Sequence, residues 1–436
     1  MSSLARTRLA LMAVASCALA LAGCGEDECE ANRTECMSQS RFRTCEYVMS
    51  GDPGGSYEWH GEACPSETSV CHEYDSYALC LPENIRMCAS KPVLPKEVPL
   101  WAASVGDVNS DSIPDVALVL EYEPAPWVAV ALGNAQGTFD APLLVEELEL
   151  PAISRPRAVV ASDLTGDGVS DLALVTVPSS GPSVVRWWGG LGAGKFGSGG
   201  QLADEGDSVA LIAADLDQDG RAELVSSSID DGGFAHASVF GVVGGKLVPL
   251  AKVAGARGSL AHLAGGRFVV GGSVYEMKSG AVAKVQKLED DERVSEAHAR
   301  DIDQDGNVDV VLVDSEWGSS FEIPIRVYMA NATGQLALES TLHGGRHLAI
   351  TDVDRDGFLD LVSTAGDGRV GAHLSSGTLS TELSQAFPNT PPVHELVIAS
   401  GLPSAFPGGS ASGERLVLRA GVMHATLRVM ADDCFP

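Results

Sequence analysis

This chain of 436 residues predicts an all-β repeat architecture, on three observations. Five acidic nonapeptides recur along it: Asp107–Asp115 (DVNSDSIPD), Asp163–Asp171 (DLTGDGVSD), Asp215–Glu223 (DLDQDGRAE), Asp301–Asp309 (DIDQDGNVD) and Asp352–Asp360 (DVDRDGFLD). Each stands between short β-branched and aliphatic runs, such as Ala158-Val-Val-Ala before and Leu172-Ala-Leu-Val after the second, so each joins one strand to the next. A glycine turn follows roughly thirty residues later, as at Gly192–Phe196 and Gly244–Leu247, and reads as a second hairpin of the same unit.

The nonapeptides carry oxygen-bearing side chains at positions one, three, five and nine, with glycine at six in four of the five copies. Two carboxylates about 4 Å apart repel by roughly 4 kcal/mol at an effective dielectric of about 20, so a loop aiming several at one point needs a cation. All the donors are hard oxygen, without His or Cys, which suits Ca²⁺. The candidate ligands are Asp107, Asn109, Asp111, Ile113 and Asp115; Asp163, Thr165, Asp167, Val169 and Asp171; and Asp215, Asp217, Asp219, Arg221 and Glu223. The later copies supply Asp301, Asp303, Asp305, Asn307 and Asp309, then Asp352, Asp354, Asp356, Phe358 and Asp360. The variable seventh residue of each set would serve through its backbone carbonyl. An EF-hand would need Glu at the twelfth position and flanking helices; Leu118, Leu174, Ser226, Leu312 and Ser363 stand there instead. The copies at Asp301 and Asp352 are the best formed, and that at Asp107, with Asn109, Ser112 and Pro114, is the weakest.

Strand, DxDxDGxxD, strand, repeated at about fifty residues, resembles the FG-GAP/VCBS repeats of integrin α-subunit propellers and bacterial surface proteins. The resemblance implies a β-propeller with one four-stranded blade per repeat and structural Ca²⁺, up to five ions, in the first hairpin of each. The nonapeptides start 56, 52, 86 and 51 residues apart. The third interval is too long for one blade, and within it Leu260–Val270 aligns as strand, turn, strand without acidic ligands, a blade lacking metal. After Gly377, His394–Ser400, Glu414–Arg419 and Val422–Met430 read as a three-stranded last blade, its outer strand supplied from near Pro92–Val98. The expectation is a seven-bladed β-propeller over 92–436, with blades near 98–150, 151–204, 205–254, 255–290, 291–342, 343–390 and 391–436. Six blades, with the last segment packed elsewhere, is the alternative.

At the start, Arg6 and Arg8 precede an apolar run, Leu9–Leu21, shorter than the eighteen or so residues of a membrane span; residues 1–23 read as a secretory signal. Leu21-Ala-Gly-Cys24 resembles the lipobox of bacterial lipoproteins, which implies cleavage before Cys24, acylation of its thiol and anchorage to the outer membrane. Plain signal cleavage, giving a soluble secreted protein, is the alternative. The remaining Cys29, Cys36, Cys45, Cys64, Cys71, Cys80, Cys88 and Cys434 are even in number, which in an exported chain points to four disulfides. Seven of them fall in 24–91, a small disulfide-rich domain too short for an adequate core of its own. Cys434 would pair back into it, with Cys88 the nearest choice, and the Pro-rich stretch 89–97 reads as a linker.

Net charge is −30, of which the nonapeptides hold 18 acidic side chains. The acidity argues against nucleic acid and anionic lipid surfaces as partners. No G-x-S-x-G or HExxH motif is present, and Gly192–Gly197, although it fits G-x-G-x-x-G, precedes no helix. Trp187 and Trp188 could stack a sugar ring, but strand neighbours face opposite ways, which favours packing between blades. The chain therefore reads as a monomeric, lipid-anchored, calcium-stabilised module binding an unknown protein or glycan, with no catalytic residue assigned. An envelope polysaccharide-acting enzyme and a scaffold subunit of a secreted complex are the rival readings.

Overall fold

The structure is a computed structural model that describes residues 34–38, 41–48, 56–63, 69–74, 77–82, 86–88, 90–92, 100–109, 111, 113, 115–120, 127–134, 139–145, 154–178, 181–230, 232–315, 321–354, 356–365, 369–388, 393–400, 414–420 and 426–430. The chain divides into two compact units, Met1–Ile85 and Arg86–Pro436. Among the described residues no helix is long and apolar enough to cross a membrane.

In the first unit, β1 (Thr34–Ser38), β2 (Arg41–Val48) and β3 (Ser56–Ala63) form one antiparallel sheet, and β4 (Ser69–Tyr74) and β5 (Tyr77–Pro82) form a hairpin. Cys36 on β1 is disulfide-bonded. Cys45 lies on β2, while Cys71 and Cys80 stand directly opposite each other on β4 and β5. Residues 1–23, Cys24, Cys29, Cys64 and Cys434 lie outside the described residues.

The second unit is a β-propeller. Before its blades come β6 (Arg86–Cys88), which carries Cys88, and β7 (Ser90–Pro92). Six sheets then repeat one plan, four antiparallel strands consecutive in the chain. The first is β8 (Leu100–Gly106), β9 (Asp115–Leu120), β10 (Trp127–Ala131) and β11 (Leu143–Leu144), and the second is β12 (Ser154–Ser162), β13 (Asp171–Pro178), β14 (Val184–Gly192) and β15 (Lys195–Ala203). The third comprises β16 (Asp207–Ala214), β17 (Glu223–Ile229), β18 (Ala235–Val243) and β19 (Lys246–Ala254). The fourth has β20 (Leu260–His262), β21 (Arg267–Val270), β22 (Ser273–Lys278) and β23 (Ala281–Lys287), and it forms without an acidic loop. The fifth is β24 (Val294–Arg300), β25 (Asp309–Asp314), β26 (Ile323–Ala330) and β27 (Leu336–Gly344). The sixth is β28 (His347–Thr351), β29 (Asp360–Thr364), β30 (Val370–His373) and β31 (Ser384–Pro388), with β6 added in parallel to β31.

The expected count of seven such blades is corrected to six. Residues 391–436 contribute three strands, β32 (Val393–Ser400), β33 (Glu414–Ala420) and β34 (Thr426–Met430), to a sheet whose fourth member is β7, paired with β34. The strand from upstream is thus Ser90–Pro92, inside the stretch that reads as a linker in sequence. β32 lies against both β28 and β8.

The core sits between sheets, because each sheet buries both faces against its neighbours. The second strands β9, β25 and β29 are buried along their whole length, and β13 nearly so, while the outer strand β23 is largely exposed. This is why the middle strands read as unbroken aliphatic runs. Leu172, Leu174 and Phe196 pack with Val119 and Val130 between the first two sheets, and Phe268 and Tyr275 with Leu216 and Val239 between the third and fourth. Each such side chain stabilises the fold by about 1.5–3 kcal/mol. Trp187 is buried between the second and third sheets, whereas Trp188 is only half-buried. Gly192–Gly197 lies in the β14–β15 hairpin, where Gly192, Ala193 and Gly194 all have positive φ.

Candidate metal centres

Each nonapeptide closes the hairpin between the first and second strands of its sheet, and local hydrogen bonds shape all five alike. The first carboxylate accepts from backbone N–H groups further round the turn: Asp215 from Asp219 (3.1 Å) and Gly220 (3.0 Å), Asp301 from Asp305 (3.0 Å) and Gly306 (2.9 Å). The fifth carboxylate accepts from the seventh N–H, as Asp305 does from Asn307 (2.8 Å) and Asp356 from Phe358 (2.9 Å). These are Asx turns, which only a short acidic or amide side chain can close. Gly220, Gly306 and Gly357 take positive φ at the sixth position, and nothing would stand within 4 Å of a Cβ there, so backbone conformation alone calls for glycine.

The ninth residue plays a second part. Asp115, Asp171, Asp309 and Asp360 are fully buried, each accepting from the second N–H of its loop on one oxygen and from the end of the third strand's run on the other. The first set of bonds comes from Val108 (2.9 Å), Leu164, Ile302 and Val353 (2.8 Å each). The second comes from Gly133 (2.8 Å), Gly190 (2.7 Å), Ala330 (2.8 Å) and Ser375 (2.7 Å). Glu223 keeps the first of these bonds, from Leu216 at 2.8 Å. These third-strand donors give no motif of their own in sequence, because a backbone N–H carries no side-chain signature.

Three copies bring carboxylate oxygens within 4.8 Å of one another: Asp215, Asp217 and Glu223; Asp301, Asp303 and Asp309; and Asp352, Asp354 and Asp356. The copies at Asp107 and Asp163 have Asn109 and Thr165 where the third carboxylate would stand. Burial, followed by the neighbouring charges of Asp217 and Asp219, pushes Glu223 up to about 7 against the pull of the Leu216 bond. Burial likewise pushes Asp360 up to about 6, with Asp354 and Asp352 adding to it. Asp115, Asp171, Asp309 and Asp354 are also raised, first by burial. Asp352 Oδ1 is buried without a hydrogen-bond partner. An orphaned anionic oxygen amid clustered carboxylates is the electrostatic deficit that a hard divalent cation removes, so the donor set fits one.

Neighbouring loops are tied to each other. Ser170 Oγ donates to the Asp107 carbonyl and Ala222 N to the Asp163 carbonyl, both at 2.8 Å, and Gln304 Nε2 donates to the Gly357 carbonyl. In the third loop Arg221, a candidate through its carbonyl, turns its guanidinium onto Asp219.

A profile described as FG-GAP-like repeat matches residues 163–226 and 301–363, spans that hold the second, third, fourth and fifth acidic loops. The chain carries FG-GAP-like repeats. No curated protein matches it. Among solved structures it is similar to the Bacillus licheniformis rhamnogalacturonan lyase PL11, with TM-score 0.40 and 13% identity over 92% of this chain and 91% of that one. It is also similar to BBS1N, solved in complex with ARL6DN and soaked with lead, with TM-score 0.47 and 13% identity over 79% of this chain and 98% of that one. In the FG-GAP-like repeats described here, the acidic loops of adjoining sheets are positioned by the same buried ninth carboxylate.

Proposed function

We propose that this FG-GAP-like propeller is a non-catalytic binding module, held rigid by Ca²⁺ in its acidic hairpins, that presents a surface to a protein or glycan. The observation that carries the reading is the Asp352 cluster, where three carboxylates converge and one buried oxygen has no partner. Oxygen donors alone, with no nitrogen or sulfur, favour Ca²⁺ over zinc or copper. The ion would be held chiefly by Asp352, Asp354 and Asp356, by Asp301, Asp303 and Asp309, and by Asp215, Asp217 and Glu223. It would supply charge neutralisation and cross-linking of the loop, not chemistry on a substrate. We further propose export as a lipoprotein acylated at Cys24, with disulfides stapling the first unit and a monomeric state at the envelope.

The test is capture by the Ca²⁺-loaded mature protein, on a glycan array and in pull-downs from envelope extracts, repeated after chelation. A ligand retained with Ca²⁺ and lost in excess EGTA supports the reading. Turnover of a polysaccharide by the purified protein would replace it with the enzyme reading.

A further inference from the structure

We propose that the groove on the outer half of sheet β12–β15, beside Trp188, binds a hexuronate residue of an acidic glycan; the inference rests on the binding-module reading above and names its ligand class. Arg186 and Trp188 project from the same face of β14, two residues apart. Opposite them on β15 stand Gln201 and Gly199. With Gly197 on the same face as Gly199, β15 offers almost no side chain to cover the indole. The result is a cavity of about 580 Å³, lined by Arg186, Trp188, Leu191, Gln201 and the glycines, within the usual range for small-ligand sites of about 300–1,000 Å³. Among the described residues the preceding sheet leaves this side open: its fourth strand, β11, is two residues long, with Leu143 and Leu144 both exposed. The cavity walls are fixed, since Trp188 packs against the core between the first two sheets and β15 packs against β19.

The ligand's charge follows from Arg186. Its guanidinium is half-buried, and among the described residues its partner is the neutral Gln201, to which Nη1 donates. Nε is buried with no partner, and burial lowers the group's pKa. In a chain of net charge −30 a half-buried cation that faces no carboxylate among the described residues is unusual. Such a charge is costly until an anion is brought to it, and the planar fork is shaped to take a carboxylate. The adjoining indole calls for an apolar, flat face on the same ligand. A pyranose with a carboxylate at C5 has both: axial C–H groups on one face and the anion at the ring edge. Its hydroxyls would find Gln201 and the side-chain-free backbone of β15.

The experiment titrates the intact mature protein, by calorimetry and tryptophan fluorescence, with tetramers of glucuronate, galacturonate and mannuronate and with the matching glucose, galactose and mannose tetramers. At least one uronate tetramer should bind, with its neutral counterpart weaker by about tenfold or more, as loss of a charge-assisted pair implies. Arg186→Gln should erase that preference, and Trp188→Ala should weaken both ligands. Because Trp188 also packs, Gly197→Gln provides a second probe: the three atoms nearest to a Cβ there all belong to the Leu191 side chain, at 3.4–3.5 Å in ordinary contact, so the substitution enters the groove rather than the core. It should abolish binding and leave the melting temperature unchanged. Failure of all three uronates to bind, or binding that survives both Gly197→Gln and Arg186→Gln, would overturn the proposal. A ligand captured on the array or in pull-downs with undiminished affinity by the groove variants would leave the binding-module reading standing while this one falls.

Discussion

Nδ1 of His347, at the start of β28, lies 2.7 Å from Oε1 of Glu296 on β24, a side-chain hydrogen bond between the first strands of the fifth and sixth sheets. The second oxygen, Oε2, accepts from the Leu348 N–H at 3.0 Å and meets Nε2 of His298 at 3.2 Å. A register shift between Val294 and Glu296 in β24 marks a bulge here, the usual device for re-aiming a strand side chain.

Burial would push Glu296 up, but hydrogen bonds from His298 and His347, with their charge, overcome it and hold the carboxyl at about 2. A carboxylate depressed below its ordinary 4.5 adds stability that is complete above pH 4.5 and disappears as pH falls from there through 2. Glu296→Gln should therefore cost about 1.5–3 kcal/mol at pH 7, the range for bonds to a charged group. The gap between wild type and variant should narrow at pH 3. Thermal melts of both proteins at the two pH values decide it; an equal gap at both would show that shape, not charge, matters at this position.

The acidic loops should respond unequally to Ca²⁺. A site filled at tenfold over its Kd adds about 1.4 kcal/mol, so three well-formed clusters would together contribute about 4 kcal/mol. Scanning calorimetry should show a lower melting temperature in EGTA than in millimolar Ca²⁺. Asp303→Asn and Asp354→Asn should each remove a share of that difference. Asp111→Asn should remove little, since its loop already has Asn109 at the third position. An identical melt with and without chelator would dismiss structural metal.

Metal-free protein should behave oppositely in pH to most proteins over the mildly acidic range. Glu223 at about 7 and Asp360 at about 6 lie above their ordinary 4.5 and 3.8. A raised folded-state pKa means stability that is full below the ordinary value and is lost as pH climbs through the raised one. In EGTA the melting temperature should thus rise on acidification from pH 7.5 to about 5, and Glu223→Gln should flatten part of that rise. Saturating Ca²⁺ should abolish the trend, because a bound cation keeps the carboxylates ionised.

What could be read in the sequence was what short spacing encodes. The Asx turns of Asp215, Asp301 and Asp352 close within five residues, so side-chain identity at fixed offsets announces them. The buried bonds from Gly190 N–H to Asp171 and from Ala330 N–H to Asp309 are invisible because their donors are backbone groups a strand away. Glu296 meets His347 only through packing of neighbouring sheets, and no local pattern records that meeting. The same holds for β7, whose three residues read as a Pro-rich linker until β34 supplies a partner. Alternation correctly sends Trp187 and Trp188 into the cores on opposite faces of the second sheet, but it does not show that the glycines of β15 leave Trp188 half-open beside a groove.

Asp204, in the connection from β15 to β16, is 2% exposed and has no metal loop around it. Its Oδ2 accepts from the hydroxyls of Ser208 at 3.0 Å and Ser226 at 2.7 Å and from Ser228, and its Oδ1 accepts from Ser238 at 3.1 Å and from the Glu205 N–H at 2.9 Å. Burial alone would raise its pKa, yet the bonds from Ser228, Ser226 and Ser208 bring it below the ordinary carboxylate value. The single charge thus satisfies four buried hydroxyls of the third sheet, all contributed by strands β16, β17 and β18. Asp204→Ala would leave those hydroxyls without their acceptor, each a penalty of about 1–3 kcal/mol where no replacement is found, so the loss should exceed about 3 kcal/mol. Asp204→Asn keeps one acceptor oxygen and should lose less. Circular-dichroism melts of the two variants in saturating Ca²⁺ measure this directly, and an alanine variant as stable as wild type would mean that water enters and replaces the carboxylate.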